Sequence, residues 1–188
     1  MILRVILGLI VLCVPSMSAA DIFPNWADLD AYRKSWYSKH LAAAGESAID
    51  MVQGQSTYRF TWLRTFHNPI IVRIQCESRC MLHAVRLTGA GGYEPGQIEA
   101  QLDREITDRE LRKLERLLES TDFWSGQPDV TNMGYDGAQW IFEAAIDDTY
   151  LGWTVWSARN DERFADFAVL CLFMLELSDF AIPDREIY

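Results

Sequence analysis

Basic residues are scarce in this sequence of 188 residues. Lys and Arg together number 17 against 27 Asp and Glu, so the formal net charge is −10 at pH 7. A nucleic-acid-binding protein needs a basic surface that releases the counterions of the phosphate backbone. The composition therefore argues against nucleic acid as a partner and against attraction to anionic membrane surfaces. It favours a basic partner, which an acidic protein attracts at long range.

Apolar runs long enough to span a membrane are also absent. The N-terminal run from Val5 to Val14 has ten residues, about half the roughly 20 that a transmembrane helix needs. It follows Arg4 and precedes a stretch of small residues that ends at Ala20, which is typical of a secretory signal peptide cleaved before Asp21. We therefore expect residues 1–20 to be removed and residues 21–188 to form one exported domain, periplasmic or secreted, without a membrane span.

Cysteine is rare, and only Cys76, Cys80 and Cys171 follow the predicted cleavage site. Cys76 and Cys80 flank a three-residue turn between two strand-like runs. A hairpin there places them opposite each other, and we predict that they form a disulfide. The alternative is a zinc site that adds His67 and His83. An exported protein meets oxidising conditions and CxxxC is not the usual zinc spacing, so no metal site is predicted.

Hydrophobic periodicity predicts an α+β fold. Alternating or apolar runs indicate strands over 57–66, 70–76, 80–88, 97–106, 138–146 and 150–158. Helices are expected over 25–44, from Thr107, where Glu110 completes a capping box, and after Asn160 as the cap of the last helix. The result is a single domain in which an antiparallel sheet of about five or six strands packs against two or three helices.

Aromatic residues contribute two stripes to these elements. In the first helix Leu29, Tyr32, Trp36 and Ala43 share a face, which we expect to be buried. In the first strand Tyr58, Phe60, Trp62 and Phe66 point the same way. Packing in the core is the expected role of this second stripe, and a platform for sugar or peptide is the alternative.

Three segments together carry a family resemblance. They are YRFTWLRTFHNPIIVRI at 58–74, GAGGYEPG at 89–96 and DGAQWIFE at 136–143. The sequence resembles a group of small, uncharacterised exported proteins of bacteria. No activity is established for that group, so the resemblance implies export and a single domain but no catalytic role.

Candidate catalytic residues are few, since the sequence has three histidines and neither an HExxH nor a GxSxG motif. Arg73 and His83 lie opposite each other in the predicted first hairpin. With Glu143 of the second hairpin they would form an anion-binding or acid–base site if the two hairpins adjoin. An enzyme of unknown class is therefore one alternative function. No cofactor is predicted, because the glycine-rich loop 89–96 lacks the Lys-Ser or Lys-Thr ending of a phosphate-binding loop and leads into a strand.

The long connections 89–96 and 120–135 contain the candidate binding residues. These, with the residue that follows the second connection, are Tyr93, Glu94, Trp124, Tyr135 and Asp136. Aromatic side chains on the loops of a rigid scaffold commonly anchor protein interfaces. We therefore expect a domain that binds another protein, for example an inhibitor or immunity-type protein against a basic envelope hydrolase or toxin. The wholly apolar run 167–175 in the last helix motivates another alternative, a structural envelope protein or homodimer.

Overall fold

The computed structural model describes residues 22, 23, 26, 29–125, 128, 134 and 136–188, which form a six-stranded sheet and three α-helices. The strands are β1 (Ser56–Arg64), β2 (Ile70–Cys76), β3 (Cys80–Leu87), β4 (Ile98–Glu105), β5 (Ala138–Ile146) and β6 (Thr149–Trp156). The helices are α1 (Ala31–Ala43), α2 (Asp108–Ser120) and α3 (Ala165–Leu177). The predicted α+β class is confirmed, whereas the predicted signal peptide lies outside the described residues.

Every strand of the sheet runs antiparallel to its neighbours, in the order β4–β3–β2–β1–β5–β6. The first strand in sequence is therefore central, with the hairpins β2–β3 and β5–β6 on either side of it. Cys76 lies opposite Cys80 at the end of β2–β3, and a disulfide joins them. This confirms the predicted hairpin register. Cys171 is a free, buried thiol, and burial raises its pKa.

The face of the sheet that packs against α2 and α3 contains the larger core. Tyr58, Phe60 and Trp62 of β1 are buried in it, as expected for the aromatic strand stripe. The predicted burial of Phe66 is wrong: β1 ends at Arg64, the chain turns, and this ring is 57% exposed. Most of the apolar run 167–175 in α3 is also buried within the chain: Val169 is 49% exposed, Leu172 is half-buried, and the other seven side chains are buried. The apolar character that suggested a homodimer is therefore satisfied inside one chain.

Helix α1 covers the opposite face, so the helices lie on both sides of the sheet. Tyr37 and Leu41 of α1 pack against Leu63 of β1 and its neighbours. The predicted buried stripe of this helix is wrong for Tyr32, which is 63% exposed; Trp36 and Ala43 are half-buried, and Leu29, which precedes the helix, is buried as predicted. The helix begins at Ala31 rather than at residue 25, and its N-cap Asp30 accepts a hydrogen bond from a backbone N–H of the first turn.

The other two helices begin in different ways. Thr107 and Glu110 form the predicted capping box at the start of α2. Asn160, predicted to cap the last helix, instead ends a short 3₁₀ turn, and a second turn separates it from Ala165. Each α-helix has 13 residues, and no helix in the described part of the chain has the length and apolar character needed to cross a membrane.

Candidate functional site

The loop between β3 and β4, which carries Tyr93, is fixed against the end of β1. Gly91 N–H donates to His67 O at 3.0 Å, and Gly92 N–H donates to Thr65 O at 3.2 Å. A Cβ atom added to Gly91 would lie 2.5 Å from the backbone of β1, so only glycine permits this close approach. The loop is thus a fixed support for Tyr93.

Between this loop and α1 lies a cleft of about 220 Å³, which we call the aromatic cleft. Its aromatic lining consists of Tyr32, Trp36, Tyr37, Tyr93 and Trp156, and its floor includes Leu63 and Gln139. The rings of Tyr32 and Trp36 stack with their centroids 6.2 Å apart. Tyr32 and Tyr93 are 63% and 57% exposed. Two large aromatic side chains are therefore exposed at one place, although folding favours burying them.

An ammonium group joins the two sides of the aromatic cleft. Lys39 of α1 places its Nζ atom 3.8 Å from the centroid of the Trp36 ring. The same Nζ lies 3.2 Å from a carboxylate oxygen of Glu94, the residue after Tyr93. A cation between an aromatic face and a carboxylate gains from both the ring quadrupole and the opposite charge. The chain's own lysine therefore occupies both groups that attract a cation at this end of the molecule.

A buried histidine lies next to Trp36 in α1. His40 is fully buried, and its ring centroid is 5.8 Å from that of Trp36. Neither of its ring nitrogens has a hydrogen-bond partner among the described residues. Burial, with a smaller contribution from the positive charge of Lys39, lowers the pKa of His40 to about 4, and Glu94 opposes this shift. The imidazole is therefore neutral at pH 7.

The three predicted catalytic residues do not form one group. Arg73 and His83 are direct neighbours across β2–β3, as predicted. Glu143 is separated from them because β1 lies between β2 and β5, so the two hairpins do not adjoin. The register places Arg59 of β1 between Arg73 and Glu143.

Arg59, which the sequence analysis did not single out, is the centre of a buried ion network. Its Nε and Nη2 atoms each donate to a different oxygen of Glu143 at 2.8 Å. Its Nη1 atom donates to Glu46, which follows α1, at 3.3 Å. Glu46 also accepts from Arg73 Nε at 3.0 Å. Burial alone would lower the pKa of Arg59, but the charges of the two glutamates raise it above its ordinary value.

The carboxylate of Glu143 accepts three hydrogen bonds within this network. Besides the two bonds from Arg59, it accepts one from the Tyr150 hydroxyl at 2.8 Å. Burial and the Glu143 charge raise the pKa of Tyr150, so this hydroxyl stays protonated. A carboxylate that is held by a buried arginine and a tyrosine is poorly placed to exchange protons with a substrate. The geometry favours a structural role, in which Glu143 and Arg59 fix the segment after α1 to the sheet.

His83 lies on the other side of Arg73, toward the edge of the sheet. Its Nδ1 atom is 2.6 Å from a carboxylate oxygen of Asp103 in β4, and this hydrogen bond lowers the pKa of Asp103. In the described ranges no three His, Cys, Asp or Glu side chains are grouped so that they could hold a metal ion.

The predicted binding residues lie at two ends of the sheet. Tyr93 lines the aromatic cleft, and Glu94 lies beside it. Asp136 is exposed and lies at the same end of the sheet, because the carbonyl of its neighbour Gly137 accepts a hydrogen bond from Thr65 N–H. Trp124 lies at the opposite end, beside the β5–β6 turn, and it is 39% exposed. Tyr135 lies outside the described residues.

No protein-family model matches this chain, and a comparison with curated proteins finds no match either.

Proposed function

We propose that this chain is an exported protein-binding domain and that its aromatic cleft receives a side chain of the partner. The observation that carries this proposal is the exposed ring of Tyr93, held on a fixed loop opposite Tyr32 and Trp36 of α1. Tyrosine and tryptophan on rigid supports are the residues that most often dominate the binding energy of protein interfaces. Their exposure has no evident benefit for the fold itself.

The size of the aromatic cleft supports a protein partner over a small molecule or cofactor. Sites for small molecules usually have volumes of about 300–1,000 Å³. At about 220 Å³ the aromatic cleft is smaller than this range. It has room for one or two side chains, which is what a protein interface inserts as an anchor.

The charge of the chain and its disulfide support a more specific proposal, in which the partner is a basic protein of the cell envelope. A net charge of −10 attracts basic proteins and raises their association rate. The Cys76–Cys80 disulfide is compatible with an oxidising compartment outside the cytoplasm. A basic hydrolase or toxin of the cell envelope, held inactive by this chain, combines both properties, and the resemblance to exported bacterial proteins agrees with it.

The test is a binding assay with the tagged full chain and purified basic envelope hydrolases and toxins, at low and high salt. Tyr32→Ala and Tyr93→Ala should each weaken binding about tenfold or more. Gly91→Ala should also weaken it, because the loop must move away from β1 although Tyr93 is still present. Trp124→Ala is the matched control, since it removes an exposed aromatic ring at the other end of the sheet.

The proposal predicts salt-sensitive binding that the three cleft variants reduce and the control does not. If every variant binds like the wild type, the cleft is not the interface. If Trp124→Ala alone loses the partner, the interface lies at the β5–β6 end instead.

A further inference from the structure

We infer that the aromatic cleft selects a lysine or arginine side chain of its partner and that Glu94 supplies the opposite charge. This inference rests on the proposed function and names the chemistry of the group that enters the cleft. The observation behind it is the position of Lys39, whose ammonium group already lies on the Trp36 ring and against Glu94. The chain thereby contains an internal example of the contact that we assign to the partner.

The internal contact is open to exchange. The side chain of Glu94 is 85% exposed, and that of Lys39 is 29% exposed. Ion pairs this exposed contribute little to stability because water and salt screen them. A partner's cation that takes the place of Lys39 on Glu94 regains the same contacts, so the exchange itself has a small net cost.

The walls of the cleft suit the stem of such a side chain. Lysine and arginine place their methylene groups on apolar surface and keep the charged end in water. Tyr32 and Tyr93, both more than half exposed, lie beside the Trp36–Glu94 pair. A partner's side chain that buries its stem against these rings gains binding energy from the contact. Lys39 does not use this surface, because it is fixed in α1.

The one charged residue among the described residues that line the cleft, Arg33, is already paired: Asp30 lies 2.5 Å from its Nε atom. In the floor, the amide nitrogen of Gln139 donates to the hydroxyl of Thr154, and the Gln139 carbonyl oxygen is an acceptor. This acceptor, the Glu94 carboxylate beside the cleft and the net charge of the chain favour a donor-bearing cation over an anion.

The test uses blocked tripeptides with lysine, norleucine or glutamate between two alanines, titrated into the full chain. Binding is followed by NMR through the indole N–H resonances of Trp36 and Trp156. The lysine peptide should bind about two- to fivefold more tightly than the norleucine peptide, which has a similar stem without the charge. Lys39→Met should strengthen lysine binding by a similar factor, and Glu94→Gln should abolish the preference for lysine over norleucine.

The matched controls are Arg79→Met and Glu105→Gln, which remove another exposed ion pair on the surface. Neither should change peptide affinity. Equal binding of lysine and norleucine, tighter binding of glutamate, or no effect of Lys39→Met would each overturn the cation inference and leave the cleft as a binding site. If no peptide shifts the two indole resonances, the inference is wrong, and the proposed function is decided separately by the assay with whole basic proteins.

Discussion

Replacing His40 with phenylalanine should remove a defined part of the acid sensitivity of this protein. The imidazole is fully buried beside Trp36, and neither ring nitrogen has a hydrogen-bond partner among the described residues. Protonation would bury an uncompensated charge, so the folded state resists it. Phenylalanine has a ring of similar size and no titrating group.

The magnitude follows from the two pKa values of the histidine. Its pKa falls from 6.5 to about 4 on folding, and each pKa unit corresponds to about 1.4 kcal/mol. Below pH 6.5 the unfolded chain binds a proton that the folded chain does not, so the free energy of unfolding decreases as the pH falls. The loss is about 2 kcal/mol at pH 5 and about 3 kcal/mol at pH 4, and it approaches its limit of about 3.4 kcal/mol at lower pH.

The assay is urea denaturation followed by tryptophan fluorescence at several pH values between 7.5 and 4. Other groups titrate in both proteins, so the quantity to compare is the difference between wild type and His40→Phe. This difference should change by about 3 kcal/mol across the range. His40→Gln is the matched control, because it abolishes the titration but retains an unpaired polar group, and it should be less stable than His40→Phe at pH 7. Parallel pH profiles for wild type and His40→Phe would refute the reasoning.

Two further variants test the ion network and the disulfide by the same denaturation assay. Arg59→Met should lower the free energy of unfolding by about 3–5 kcal/mol because it leaves Glu143 buried without its cation. The double variant Arg59→Met/Glu143→Leu should lose much less, and a double variant as unstable as the single one would contradict this account. Removing the disulfide with Cys76→Ser/Cys80→Ser should cost about 2 kcal/mol, as expected for a five-residue ring. Reduced wild type should match that variant, and an unchanged unfolding midpoint in either would contradict the prediction.

The features that sequence reasoning predicted correctly are set by neighbours in the chain. Cys76 and Cys80 determine the register of β2–β3 because the turn between them has three residues, and Thr107 and Glu110 form a capping box within one helical turn. The order of the strands depends on contacts distant in sequence. Nothing local to β1 indicates that it lies between the two hairpins, so Arg59 was not recognised as the residue between Arg73 and Glu143.

Helix α1 was misjudged for a different physical reason. Hydrophobic periodicity assigns aromatic residues to the core, and it predicted burial of Tyr32 and Trp36. In the structure Tyr32 is exposed, whereas His40 is fully buried. A sequence pattern cannot distinguish an aromatic residue that faces the core from one that faces a cleft. Helix α1 thus has a buried polar residue, His40, and an exposed aromatic residue, Tyr32. Departures of this kind from local sequence patterns are expected mainly at functional or strained sites.

Both sides of the aromatic cleft are fixed by contacts within the chain. The segment that follows α1 places Glu46 between Arg59 and Arg73, which fixes this end of the helix to the sheet. Trp36, nearer the start of the same helix, faces a loop that is itself held against β1. A partner of the kind proposed above would therefore spend little binding energy on ordering either side, and this is the condition under which a cleft of one or two side chains supports specific recognition.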